Sequence, residues 1–137
     1  MTYRYLPHTA DIRVAIEACS LEELFHDGLA IARQLFVGQS PVERRTENMV
    51  QLDAIDVEEL FLRFLRDLLY RYETSGFIPA GVTAEHLDAT HFAGRLVGER
   101  FDRTRHQPEP EVKAVTRHGL VVRKTDEGWY AEVLFDV

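Results

Sequence analysis

A single cysteine, Cys19, is all the chain carries, so there is no disulfide framework and no thiolate cluster for a metal, which fits a reducing compartment. Long apolar runs are missing too: the hydrophobic stretches fall far short of the ~20 residues that a membrane helix needs, and the first residues lack the apolar segment of a secretory signal. The expectation is a cytoplasmic protein with no membrane partner. Basic charge is in deficit, with 16 Lys and Arg against 23 Asp and Glu, a formal net charge of -7 and a pI near 5.3. Holding nucleic acid by phosphate neutralisation needs the opposite sign, so strong direct nucleic-acid binding is not expected. No glycine-rich phosphate loop or nucleophile elbow occurs, which disfavours a self-contained NTPase or serine hydrolase. None of the histidines, at positions 8, 26, 86, 91, 106 and 118, forms a His-x-x-x-His pair on a predicted helix, and without a cysteine pair zinc is disfavoured as well.

What is present is enough for a core. A chain of 137 residues with 45% apolar content has the size of a single domain spanning 1–137. Tyr3 to Leu6 reads as a first strand, and Asp11 to Ala18 as a second, with Ile12, Val14 and Ile16 on one parity. Ser20 followed by Glu23 is a capping-box pattern, and Leu21, Leu24, Phe25, Gly28, Ala32, Leu35 and Phe36 then fall on one stripe of a helix over about 20–36. Met49 to Ile55 alternates as a third strand. Asp56 with Glu59 repeats the capping arrangement before a second helix, whose stripe of Val57, Leu60, Phe61, Phe64, Leu65, Leu68 and Tyr72 reads as core packing rather than a ligand box and stops at Gly76. Val82 to Ala89 and His91 to Val97 form a strand pair, and Arg100 to Pro110 is a polar loop. Val112 to Thr116, Leu120 to Lys124 and Trp129 to Phe135 are strands again, with a turn at Asp126-Glu127-Gly128. The pattern predicts an α+β two-layer sandwich, a mostly antiparallel sheet with two amphipathic helices on one face.

Two features do not serve the core. Asp11 puts a carboxylate at the head of an apolar strand, in the stretch Tyr5-Leu6-Pro7-His8-Thr9-Ala10-Asp11-Ile12; on the residues alone a turn residue bonding its local backbone is the plainer reading. At the other end Asp136 follows the apolar run Val133-Leu134-Phe135, and Val137 adds an α-carboxylate where the sequence stops. If these ends meet, three like charges converge, and they require protonation or a hard, oxygen-preferring cation such as Ca²⁺ or Mg²⁺. Spacing alone does not bring them together, and a solvated end remains the plain alternative. Lys113, flanked by Val112, Ala114 and Val115, is either an edge lysine or a functional cation.

The ordered set of Tyr5-Leu6-Pro7-His8-Thr9-Ala10-Asp11-Ile12, Ser20-Leu21-Glu22-Glu23-Leu24-Phe25, Glu59-Leu60 through Leu68-Leu69-Tyr70, Gly98-Glu99, Val112-Lys113-Ala114-Val115-Thr116 and Asp136-Val137 resembles the archease family from end to end. The resemblance implies a small, non-enzymatic accessory protein of the GTP-dependent RtcB-type RNA ligase, which joins tRNA exon halves. Such a protein promotes guanylylation of the ligase and multiple turnover. For some members it also implies a chaperone-like role toward an RNA methyltransferase. By the same resemblance, Asp11, Asp136 and Val137 fall on metal-binding positions, with Ca²⁺ as the expected ion and Mg²⁺ or Mn²⁺ as substitutes, while Lys113 and His8 are candidates for partner contact. A divalent-metal-dependent phosphoester hydrolase is the competing reading; no recognisable motif supplies its nucleophile or base. The chain departs from the family pattern at Ala18-Cys19 before the first helix, at Arg117 and at the final Val137.

Overall fold

The computed structural model describes residues 2–6 and 11–137. The strands are β1 (Thr2–Leu6), β2 (Asp11–Ala18), β3 (Thr46–Asp53), β4 (Phe77–Leu87), β5 (His91–Arg100), β6 (Ala114–Thr125) and β7 (Gly128–Asp136), with helices α1 (Leu21–Val37) and α2 (Val57–Ser75). The α+β class expected from the sequence holds. The strands divide between two antiparallel sheets, a four-stranded β1-β2-β7-β6 and a three-stranded β3-β5-β4. A single stripe per helix suggests one sheet to cover, but α2 buries Leu60, Phe61 and Leu62 in succession, then Phe64, Leu65, Leu68 and Leu69. An apolar surface that wide serves two sheets, and both helices touch both.

The helix ends follow the residues that sequence patterning singles out. The Ser20 hydroxyl accepts from the Glu23 N–H at 3.1 Å and the Asp56 carboxylate from the Glu59 N–H at 2.9 Å, each satisfying a donor that the first turn would leave open. Gly76 closes α2 in the left-handed region at φ 72°, returning its N–H to the carbonyls of Arg71 and Tyr72. Where the helices cross, Gly28 lets them approach: a Cβ there would stand 2.9 Å from the Phe61 ring. Around that crossing Phe25 packs against Phe61, Phe64 and Phe92, with ring centroids 5.4, 4.9 and 5.6 Å away. The aromatic stripe of α2 is core, as its spacing indicates. Burial of each such ring is worth about 2 kcal/mol.

Some strand boundaries differ from the pattern. β4 begins at Phe77 and includes Pro79, which this edge strand tolerates beside a register shift between Pro79 and Gly81. The two strands expected over 112–116 and 120–124 are replaced by one, β6, interrupted by an irregularity between Thr116 and Val121. That strand starts at Ala114, so Lys113 lies just before it, exposed, rather than inside it.

One buried group does not fit its surroundings. Asp27, on the inner face of α1, is 1% exposed, and its Oδ2 has no hydrogen-bond partner among the described residues. Burial first, then the nearby Glu23 charge, pushes its carboxyl up to about 6. The native state therefore holds this proton more firmly than the unfolded chain. Its contribution favours folding below the ordinary carboxylate range and is lost as pH rises through about 6. Asp27→Asn, which cannot ionise, is expected to melt about 3 °C higher than the wild type at pH 7.5, the size of about 1 kcal/mol in a chain of this length. The gap should narrow at pH 5 and close as pH falls to the ordinary carboxylate range near 3.8; melting curves across that window check it.

Candidate functional site

The sheet register brings the two ends of the chain together. In the β2–β7 ladder Asp11 stands directly opposite Asp136, and on the far side of β7 Ala114 stands opposite Asp136 as well. Directly opposed residues of an antiparallel pair point to the same face with Cβ atoms about 5 Å apart. Two carboxylates in that relation offer anionic oxygens on one face of the sheet.

Asp11 and Val137 line one cleft of about 470 Å³ together with Tyr5, Arg13, Glu109 and Val112. The cleft floor is sheet, and one wall is the loop between β5 and β6. Asp11 and Asp136 are both partly exposed, Val137 is 37% exposed, and Asp11 has interactions of its own. Lys113 is tied to the same place through its backbone, its N–H donating to the Asp136 carbonyl at 2.7 Å. Of the residues singled out from sequence, Asp11, Asp136, Val137 and Lys113 thus share one end of the four-stranded sheet, whereas His8 lies outside the described residues. Among the described neighbours, Arg13 is paired with Glu132 at 2.6 Å, and Glu132 also accepts from the Tyr130 hydroxyl at 2.7 Å. The Tyr130 hydrogen bond first, and Arg13 after it, holds the Glu132 carboxyl below its ordinary value.

The register thus places two aspartates, with Val137 next in the chain, at one end of the sheet, and carboxylate and main-chain oxygens are the donor type that hard cations such as Ca²⁺ and Mg²⁺ take.

The loop that walls the cleft is held by residues that sequence reasoning passed over. Glu99, at the end of β5, is 2% exposed and accepts from both arms of the Arg105 guanidinium, from the Glu43 backbone N–H at 2.6 Å, and lies 3.2 Å from Nε2 of His106. His106 is buried; its Nδ1 accepts from the Asp102 N–H at 2.8 Å, which leaves Nε2–H to donate to Glu99. Further along, the Gln107 N–H donates to the Ser40 hydroxyl and the Glu109 N–H to the Phe36 carbonyl. A glutamate two residues after an apolar strand segment reads as a strand end, and no periodicity marks Arg105 and His106 as its partners; the sole signal is Gly98-Glu99 as part of the family pattern.

Taken together, the helices and the two antiparallel sheets define a small α+β protein in which two aspartates stand opposite one another where the second and last strands meet. Residues 3–137 match the model of the Archease protein family (MTH1598/TM1083), and the chain belongs to that family. It is 35% identical to the protein archease of Archaeoglobus fulgidus, with each chain fully covered. It is 32% identical to that of Pyrococcus furiosus, with 98% of each chain covered. The solution structure of protein 1598 of Methanobacterium thermoautotrophicum superposes with a TM-score of 0.81 at 26% identity, covering 98% of both chains. An archease of Thermotoga maritima, described as a possible chaperone, shares the fold with a TM-score of 0.64 at 22% identity, covering 96% of this chain and 94% of that one.

Proposed function

We propose that this chain is a non-enzymatic accessory protein of a GTP-dependent RtcB-type RNA ligase, promoting guanylylation of the ligase and its multiple turnover in tRNA splicing or RNA repair. The observation that carries the reading is the cross-strand opposition of Asp11 and Asp136 beside Val137 in a member of the archease family. Asp11, Asp136 and an oxygen of Val137 would hold a divalent cation, Ca²⁺ first, Mg²⁺ or Mn²⁺ as alternatives, whose positive charge would help organise phosphate groups at the partner's site. The acidic pair supplies anionic oxygen on rigid strand ends. Lys113, exposed and adjoining Asp136 through the backbone, supplies a cation for phosphate or an acidic partner surface.

The test is single-turnover transfer of radiolabelled guanylate to the cognate ligase, with and without this protein. The chain alone is expected to show no nucleotidyl transfer and no phosphoester hydrolysis, and to accelerate labelling of the ligase. Equal rates in both arms would refute the proposal. Lys113→Ala is expected to reduce the acceleration by about tenfold, the loss of one charge-assisted contact of about 1.4 kcal/mol, with an unchanged melting curve. Full activation by this variant would leave Lys113 as an exposed lysine with no part in activation.

A further inference from the structure

The tip of the β4–β5 hairpin, in the three-stranded sheet rather than the one that carries Asp11, gathers two imidazoles around a carboxylate. Asp88 is the organising group. Its backbone N–H donates to the His91 carbonyl at 3.0 Å, and its Oδ1 accepts the N–H groups of Thr90 and His91, both at 2.9 Å. Held this way, the carboxylate turns Oδ2 toward Nε2 of His86 at 2.9 Å, while Nδ1 of His91 lies 3.3 Å from Oδ1. One ring nitrogen of each histidine and one carboxylate oxygen all fall within 4.8 Å of one another.

We infer that His86, Asp88 and His91 form a second metal site, binding one borderline divalent transition ion of the Zn²⁺ or Ni²⁺ class. Imidazole nitrogen suits these ions, whereas an all-oxygen set suits Ca²⁺. A tetrahedral site with metal–ligand distances of about 2.1 Å sets its donors about 3.4 Å apart, so small rotations of exposed rings reach the geometry from the observed spacing. The second independent feature is Asp53 on β3. It is the cross-strand partner of His91, and its Oδ1 lies 3.6 Å from His91 Nε2. When Nδ1 binds the ion, Nε2 carries the proton, and a carboxylate on that side orients the ring and raises its basicity. Three protein donors leave a fourth position for water or for an oxygen or nitrogen ligand of another molecule. Helix spacing of histidines, the usual sequence signal, fails to show such a site because the turn, not a helix, brings His86 and His91 together.

The test is calorimetric titration of Zn²⁺ into chelator-treated protein, wild type and Asp11→Asn, followed by the carbon-bound imidazole proton signals. One Zn²⁺ per chain is expected in both, with the His86 and His91 signals moving. His86→Ala and His91→Ala should each weaken binding by at least about 100-fold, and Asp53→Asn by about tenfold. The shifts in the wild-type protein keep the test independent of how the variants fold. Absence of Zn²⁺ binding by the wild type, movement of other histidines instead, or an unchanged isotherm in the His86→Ala/His91→Ala double variant would each overturn the site.

Discussion

Arg105→Ala is expected to lower the melting temperature by several degrees. The guanidinium is the main partner of a buried carboxylate: Glu99, only 3% exposed at its side chain, takes both Arg105 arms, and the second of these contacts is 3.0 Å. Remove the arginine and Glu99 keeps the Glu43 N–H, His106 and a more distant Arg45 at 3.6 Å, too little to balance a charge withdrawn from water. Acid titration gives an independent check. Arg105 foremost, with help from the Glu43 N–H and His106 and against the effect of burial, holds the Glu99 carboxyl down to about 2. A depressed native value means the unfolded chain binds the proton more readily. The stabilisation is therefore complete above the ordinary glutamate range and is lost as pH falls from about 4.5 toward about 2. Wild-type melting should drop across that window, and Glu99→Gln should start lower at pH 7 and fall less steeply. Parallel curves for wild type and variant would show that Glu99 is not the group being titrated. Because Gln107 and Glu109 of the same loop tie down to Ser40 and Phe36, Arg105→Ala should also open residues 101–113 to proteolysis before the rest of the chain.

How much of this was legible in the sequence divides along physical lines. Local signals held: Ser20 and Asp56 cap their helices and Gly76 ends the second, because a cap needs only a neighbour three residues away. The run from Asp11 to Ala18 forms the strand its alternation indicates. Partition into two sheets was not legible, since one apolar stripe does not reveal that Leu60, Phe61 and Leu62 are all buried. Nor was the start of β6: Val112 looks like strand and is buried, but the strand begins only at Ala114, leaving Lys113 outside it. The meeting of Asp11 with Asp136 is a pairing over nearly the whole chain length, which no local pattern encodes. Family resemblance pointed to those residues, and the register supplies the physical reason they can act together. Glu99, Arg105 and His106 went unread as a network for the same cause: the first sits at a strand end and the others in a loop, and only folding aligns them.

Ca²⁺ added at about 100 times its dissociation constant is expected to stabilise the wild type by about 2.7 kcal/mol, raising its melting temperature by several degrees, and Asp11→Asn and Asp136→Asn should each abolish most of that rise. The register sets the two aspartates opposite one another on adjacent strands. An ion shared between them binds the folded chain only, because in the unfolded chain the two residues are far apart. All of its binding free energy then appears as stability. Replacing one carboxylate by an amide keeps an oxygen donor but removes a charge, and hard-cation affinity follows ligand charge. The variants should therefore differ from wild type in the response to Ca²⁺ more than in melting with chelator. A turn or capping role for Asp11 makes the opposite forecast: lower melting with chelator, by about 1 kcal/mol, and an unchanged increment on adding the ion. Melting of the three proteins with chelator and with Ca²⁺, alongside calorimetric titration, separates the two. A full Ca²⁺ increment in both variants would rule out a shared ion, and with it the proposed part of Asp11, Asp136 and Val137 in metal binding.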